Sequence, residues 1–133
     1  MTGQLMPARI LIVEDEQVIA ADLEGKLKRM GHEVVGMAIA GEEAVTLAEQ
    51  VKPNLVLMDV QLDGHMSGTD AARIIQDRTG AAIIFVTAYP KLFLRDPKQM
   101  ADPGICLGKP FSRIQLEAAL NATLHAPKPQ QAS

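Results

Sequence analysis

Five side chains in this sequence are of the types that together transfer a charged group: Glu14, Asp15, Asp59, Thr87 and Lys109. Each stands at the end of a short apolar run. RILIV (9–13) leads into Glu14 and Asp15, LVLM (55–58) into Asp59, AAIIFV (81–86) into Thr87, and GICLG (104–108) into Lys109. Several acids at one place suit a hard cation with oxygen ligands, and Mg2+ is the usual one where phosphate must also bind. With a cation present, one carboxylate stays free to attack phosphorus, since Asp and Glu form acyl phosphates as covalent intermediates. The phosphoryl oxygens then need donors, and a hydroxyl and an ammonium supply them from opposite sides. Phosphoryl transfer asks for little beyond such positioning and charge neutralisation. Asp59 alone reads as the end of a strand or a turn cap; four polar strand tips in one chain do not.

The elements that must bring these groups together are short. Runs of four to six apolar residues are too brief for independent helices and suit strands buried on both faces of a parallel sheet. Between them the apolar spacing turns helical. Ile19, Leu23, Leu27 and Met30 form one stripe over 17–30, with Gly31 placed to end it. Glu33–Ala38 reads as a short strand that Gly36 suits to an edge. Ala44, Leu47, Ala48 and Val51 form a second stripe over 42–51, closed by Pro53, with Glu42 and Glu43 in its first turn. A polar loop over 61–68 precedes a third helix, with Ala71, Ile74, Ile75 and Arg78 on its inner face. Residues 89–103 hold Pro90, Pro97 and Pro103, which restrict any fourth helix to about two turns. Ser112 and Gln115 form a capping box for a last helix with Leu116, Ala119, Leu120 and Leu124 inward. Strands alternating with helices imply a doubly wound α/β domain with right-handed crossovers. Such a sheet takes its ligands at the carboxyl edge, where all the reactive groups fall.

Composition narrows the function. At 133 residues the chain holds one core, and 47% hydrophobic with 3% aromatic residues makes that core aliphatic. A net charge of −3 and the lack of a Lys/Arg run argue against a nucleic-acid surface. No apolar span is long enough to cross a membrane and no signal-peptide layout opens the chain, so a cytoplasmic location is expected. Cys106 is the only cysteine, which leaves neither a disulfide nor a zinc ligand set. It reads as a buried small apolar residue. His32, His65 and His125 are dispersed and read as solvated side chains; Asp63 and His65 sit in the loop after Asp59.

The segments VEDE (13–16), LVLMD (55–59), VTAY (86–89) and GKPF (108–111), in this order and spacing, resemble the receiver domain of bacterial two-component response regulators. The resemblance covers residues 8–125. It implies a flavodoxin-like, five-stranded parallel sheet of order 2-1-3-4-5, with a lead-in at 1–8, the receiver domain at 9–125 and a polar tail at 126–133. It implies that Asp59 is the phosphoacceptor, served by a histidine kinase. Asp15 and Asp59 would hold Mg2+ with the Gln61 main-chain carbonyl, and Glu14 would support it through water. Thr87 and Lys109 would bind the phosphoryl oxygens, with the Lys109–Pro110 bond cis. Its output would be binding to a downstream protein or a phosphotransfer protein, or draining phosphate from a kinase as a phosphate sink, without nucleic acid or membrane, because too little chain follows the last helix for an effector.

Two departures from the family pattern stand out. The place three residues before the lysine, usually an aromatic switch, is Cys106, while an aromatic, Tyr89, follows two residues after Thr87. Tyr89 is either an amphipathic residue over the site edge or a substitute switch acting with Thr87. The proline-interrupted fourth helix, with DVQLDGHMSGTDAA (59–72), looks like receivers of the alphaproteobacterial general stress response branch. The competing readings are weaker. A haloacid dehalogenase-like phosphatase needs an acid two residues after its nucleophile, and Gln61 stands there. A dinucleotide-binding protein needs G-x-G-x-x-G after the first strand, where three acids would repel a pyrophosphate.

Overall fold

The computed structural model describes residues 7–62, 64–89 and 105–124. In chain order the elements are β1 (Arg9–Val13), α1 (Gln17–Arg29), β2 (Glu33–Ala38), α2 (Gly41–Val51), β3 (Leu55–Asp59), α3 (Gly68–Thr79), β4 (Ala82–Thr87), β5 (Ile105–Gly108) and a helix over Arg113–Leu124, here α4. The strands pair in parallel in the order β2-β1-β3-β4-β5, as expected. The proposed irregular helix over 89–103 falls almost wholly outside the described residues.

Successive strand residues face opposite sides, and the two sides are separate cores. Leu11, Val13, Val56, Met58, Ile83 and Phe85 meet α2 and α3. Ile10, Ile12, Leu55, Leu57, Ile84 and Val86 meet α1 and α4. This is why β1, β3 and β4 read as unbroken apolar runs: neither face sees water. At the carboxyl edge the alternation continues, so Glu14 and Asp59 extend the α1–α4 side of their strands and Thr87 extends the other.

The termini of the helices follow from local chemistry. Ser67 caps α3 by accepting the Asp70 N–H at 3.1 Å. Ser112 and Gln115 exchange backbone-to-side-chain hydrogen bonds at 2.8 and 3.1 Å, the expected capping box of α4. The α2 helix ends on Lys52, left-handed at φ 48°, before Pro53. Two glycines are required by packing. A Cβ on Gly36 would lie 2.9 Å from Leu47 Cδ2, so the residue that weakens β2 as a strand lets α2 lie close upon it. Its ladder with β1 is irregular there: Ile10 faces Val34 but Leu11 faces Gly36, leaving Val35 as an extra residue. A Cβ on Gly68 would run into the Asp59 carbonyl oxygen and sit 3.0 Å from Val60 Cα. The first residue of α3 thus rests directly on the backbone of β3 at its reactive end.

Three expectations need correction. His32 is buried, not solvated, at 8% exposure. Its Nδ1 accepts the Ala8 N–H at 3.1 Å, which ties the start of β2 to the start of β1. Arg78 does not lie along the inner face of α3; it is exposed and donates to Glu49 Oε2 at 2.7 Å, joining α3 to α2. Ala72 is buried in that face with Ala71 and Ile75. Cys106 is half-buried rather than enclosed, and burial pushes its thiol above the ordinary value.

Two outcomes follow. Gly68→Ala must displace α3 or the end of β3, and overpacking of this kind costs about 1–3 kcal/mol; urea unfolding that matches wild type would contradict the contact. Burial holds the pKa of His32 below 6.5. The unfolded chain therefore takes up its proton first, and the stability due to neutral His32 is lost as pH falls from the unfolded value through the folded one. His32→Gln keeps an acceptor for Ala8 without the titration, so its Tm should drop less than that of wild type between pH 7.5 and 5.5. Parallel curves would show that His32 is not the group responsible.

Candidate functional site

The sheet order delivers the reactive groups side by side. β1 ends at Glu14 and Asp15, its neighbour β3 at Asp59, the next strand β4 at Thr87, and β5 at Lys109. Backbone hydrogen bonds fix these tips. The Glu14 N–H donates to the Ala38 carbonyl at 3.0 Å, and the Lys109 N–H to the Thr87 carbonyl at 2.8 Å. The Val60 N–H, just past Asp59, donates to the Val86 carbonyl at 3.0 Å. Glu14, Asp59 and Thr87 are all buried, at 3%, 4% and 2% exposure. The Lys109–Pro110 bond is cis, as expected.

Lys109 is the hub. Its Nζ lies 3.0 Å from Glu14 Oε1, 3.4 Å from Asp59 Oδ2 and 3.8 Å from Glu16 Oε1. The other oxygen of each inner carboxylate is met by an amide: Asp59 Oδ1 accepts the Gln61 N–H at 3.0 Å, and Glu14 Oε2 accepts the Glu16 N–H at 3.1 Å. Acids still outnumber the cation. Burial is the largest effect on Glu14 and raises its pKa to about 7, with Lys109 and the Glu16 amide opposing and Asp59 adding to the rise. Burial likewise raises Asp59, against the pull of the Gln61 amide, Lys109 and Glu14. Lys109 is lowered by its own desolvation, but Glu14 and Asp59 outweigh that and leave it above the ordinary lysine value.

One oxygen each from Glu14, Asp15 and Asp59 lie within 4.8 Å of one another. An all-oxygen donor set with a surplus of buried negative charge fits a hard divalent cation such as Mg2+. Thr87 Oγ1 accepts the Tyr89 N–H at 3.0 Å, which sets the direction of the hydroxyl's lone pairs and joins Tyr89 to the site through its backbone. The Tyr89 ring itself is exposed, at 55%. Gln61 reaches Asp59 through its amide, and its side chain is exposed. His65 is also exposed. Asp63 and His125 lie outside the described residues. Glu14, Asp15, Asp59, Thr87 and Lys109 are therefore gathered at one edge.

Two participants escape a reading of the sequence. Glu16 looks like one more acid in a run, and only the geometry makes it a third partner of Lys109. Gly68 looks like a loop residue, whereas its missing side chain is what admits α3 against Asp59. The signal available for Gly68 was its place directly after the capping Ser67.

Residues 10–121 match the model of the response regulator receiver domain family. The chain is 38% identical over 120 residues to the phyllosphere-induced regulator PhyR of Methylorubrum extorquens, covering 90% of this chain and 44% of that protein. It is 42% identical over 115 residues to the transcriptional regulatory protein PdtaR of Mycobacterium tuberculosis, covering 86% and 56%. The chain thus spans about half the length of these relatives. Among solved structures, the PhyR receiver domain of Erythrobacter litoralis superposes with a TM-score of 0.86 at 30% identity, covering 98% of this chain and 100% of that one. The receiver domain of the sensor histidine kinase PA1611 of Pseudomonas aeruginosa, with a magnesium ion coordinated in its active site cleft, gives 0.79 at 30% identity, covering 91% and 100%. With the strand order, the acid cluster and the Thr87–Lys109 pair in place, the chain belongs to the response regulator receiver domain family.

Proposed function

We propose that Asp59 is the phosphoacceptor of this receiver domain and that a histidine kinase is its donor. The observation that carries the reading is the setting of the Asp59 carboxylate. It is buried, oriented by the Gln61 N–H, faced by Lys109, and grouped with Glu14 and Asp15. In the transfer an Asp59 oxygen forms a bond to phosphorus while the bond from phosphorus to the donor's histidine nitrogen breaks. The electron pair leaves on the imidazole, which takes up a proton. Lys109 meets one phosphoryl oxygen and Thr87 another, from the two sides that the strand alternation assigns them. Asp15, Asp59 and the Gln61 main-chain carbonyl would hold Mg2+, with Glu14 supporting through water. When bound, the ion would offset the surplus of carboxylates and the charge of the incoming phosphoryl group.

On this reading the protein is a signalling phosphoacceptor whose only chemistry is gain and loss of its own phosphoryl group. Its site is completed by a donor and read by a downstream protein or a phosphotransfer protein in the cytoplasm, with neither nucleic acid nor membrane involved. No helix among the described residues is long and apolar enough to cross a membrane. The likeness to PhyR favours the alphaproteobacterial general stress response as its setting. The phosphatase alternative finds no support: the chain matches the receiver family, and an exposed Gln61 stands where the second acid would be needed.

Incubation with Mg2+ and acetyl phosphate should add the mass of one phosphoryl group to wild type, and Asp59→Asn should gain none; an equal gain in both would place the phosphate elsewhere. We propose further that Tyr89 substitutes for the aromatic switch missing at Cys106. It is tied to Thr87 by its amide with its ring in solvent, where a partner can meet it. Tyr89→Ala should still be phosphorylated on Asp59 and lose binding of the downstream partner by about tenfold or more, the cost of a central aromatic contact. Unchanged partner binding rejects the substitution.

A further inference from the structure

We infer that Glu16 is a positioning residue for Lys109: its carboxylate tethers the ammonium in the resting protein, and that tether is the contact Lys109 gives up to reach a phosphoryl group. The inference rests on the phosphoacceptor reading of Asp59.

An ammonium has three N–H donors and no more. Lys109 faces three carboxylates: Glu14 at 3.0 Å and Asp59 at 3.4 Å are within hydrogen-bond reach, and Glu16 at 3.8 Å holds the ammonium only as a looser ion pair. A phosphoryl group on Asp59 brings new acceptor oxygens to the same place, and the ammonium turns to them at the expense of its weakest contact. Burial decides which. The Glu14 side chain is 2% exposed, is fixed on its other oxygen by the Glu16 N–H and lies at the shortest distance from the ammonium, so that contact is held in place. Asp59 carries the new group. Glu16 is 65% exposed and returns to water at little cost.

A second observation comes from α1. Glu16 is the N-cap residue of that helix, yet its side chain makes no capping hydrogen bond, and the first turn of α1 contains no acid. An acid at a helix N-terminus is ordinarily drawn to the free amides and to the positive end of the helix. Here the carboxylate faces the lysine, while the Glu16 N–H donates to Glu14 Oε2. Backbone and side chain of one residue therefore brace the two sides of the same Glu14–Lys109 pair. Once Lys109 turns to a phosphoryl oxygen, the uncapped amides of α1 give the released carboxylate a second partner.

The test uses the full chain, saturating Mg2+ and beryllium fluoride as the phosphoryl mimic, with the bound population read by fluorine NMR. Glu16→Gln removes the competitor and should bind the mimic about two- to fivefold more tightly, the range for loss of an exposed ion pair. Equal or weaker binding overturns the tether. The double variant Glu16→Gln/Gln17→Glu restores the net charge of wild type without restoring a carboxylate at position 16, and should keep the tighter binding. Reversion to the wild-type affinity would assign the effect to the general field and likewise overturn the tether. A wild-type protein that fails to bind the mimic at all rejects the phosphoacceptor reading, and the tether falls with it.

Discussion

One ammonium holds the carboxyl edge of this sheet together. Glu14 and Asp59 are buried acids on neighbouring strands, and Lys109 is the cation that lies between them. Taking a carboxylate out of water is costly, and removing the partner of a buried ion is usually far worse than never having built the pair. The balance here is deliberately incomplete, because Asp15 and Glu16 add charge that Lys109 does not cancel. Burial is the main cause that holds the Glu14 and Asp59 carboxyls above their ordinary values, and a neighbouring carboxylate adds a smaller push to each. Oxygen donors grouped in this way fit a hard divalent cation.

The fold supplies what such a site cannot supply for itself, which is rigidity. Each candidate group sits at or just past the last residue of a strand, and backbone hydrogen bonds between neighbouring strands fix the chain at Glu14, Val60, Thr87 and Lys109. Two cores grip the sheet from both sides, so the strand tips cannot tilt to relieve the crowding of acids. The close approach at Gly68 presses α3 onto the backbone of Asp59 itself. The packing that holds the strands thus lies below the edge, apart from the charged groups that line it.

Most of this was legible in the sequence because it rests on patterns with a fixed period. Doubly buried strands must be continuously apolar, so β1, β3 and β4 announce themselves, and a polar residue ending such a run can only open onto the edge. The helix stripes of α1, α2 and α4 were readable for the same reason, as was the Ser112–Gln115 capping box. What stayed hidden depends on contacts between residues distant in the chain. His32 is buried because Ala8, far away in sequence, offers it an amide. Arg78 turns outward because Glu49 on another helix receives it. Glu16 meets Lys109 only after the sheet has folded. No local spacing encodes such pairings.

The extra residue in β2 also changes what the sheet offers along its outer side. As an outer strand, β2 has one row of backbone groups that no described strand pairs with, with exposed Met37 in the strand and exposed Ile39 just beyond it. An even row of that kind invites a strand from another molecule to dock and extend the sheet. The misfit at Val35 and Gly36 breaks the even spacing in the middle of that row, so an incoming strand can match one half of it or the other but not both. Position 36, which seats α2 on the sheet, thereby also makes this side of the sheet a poorer template for an added strand.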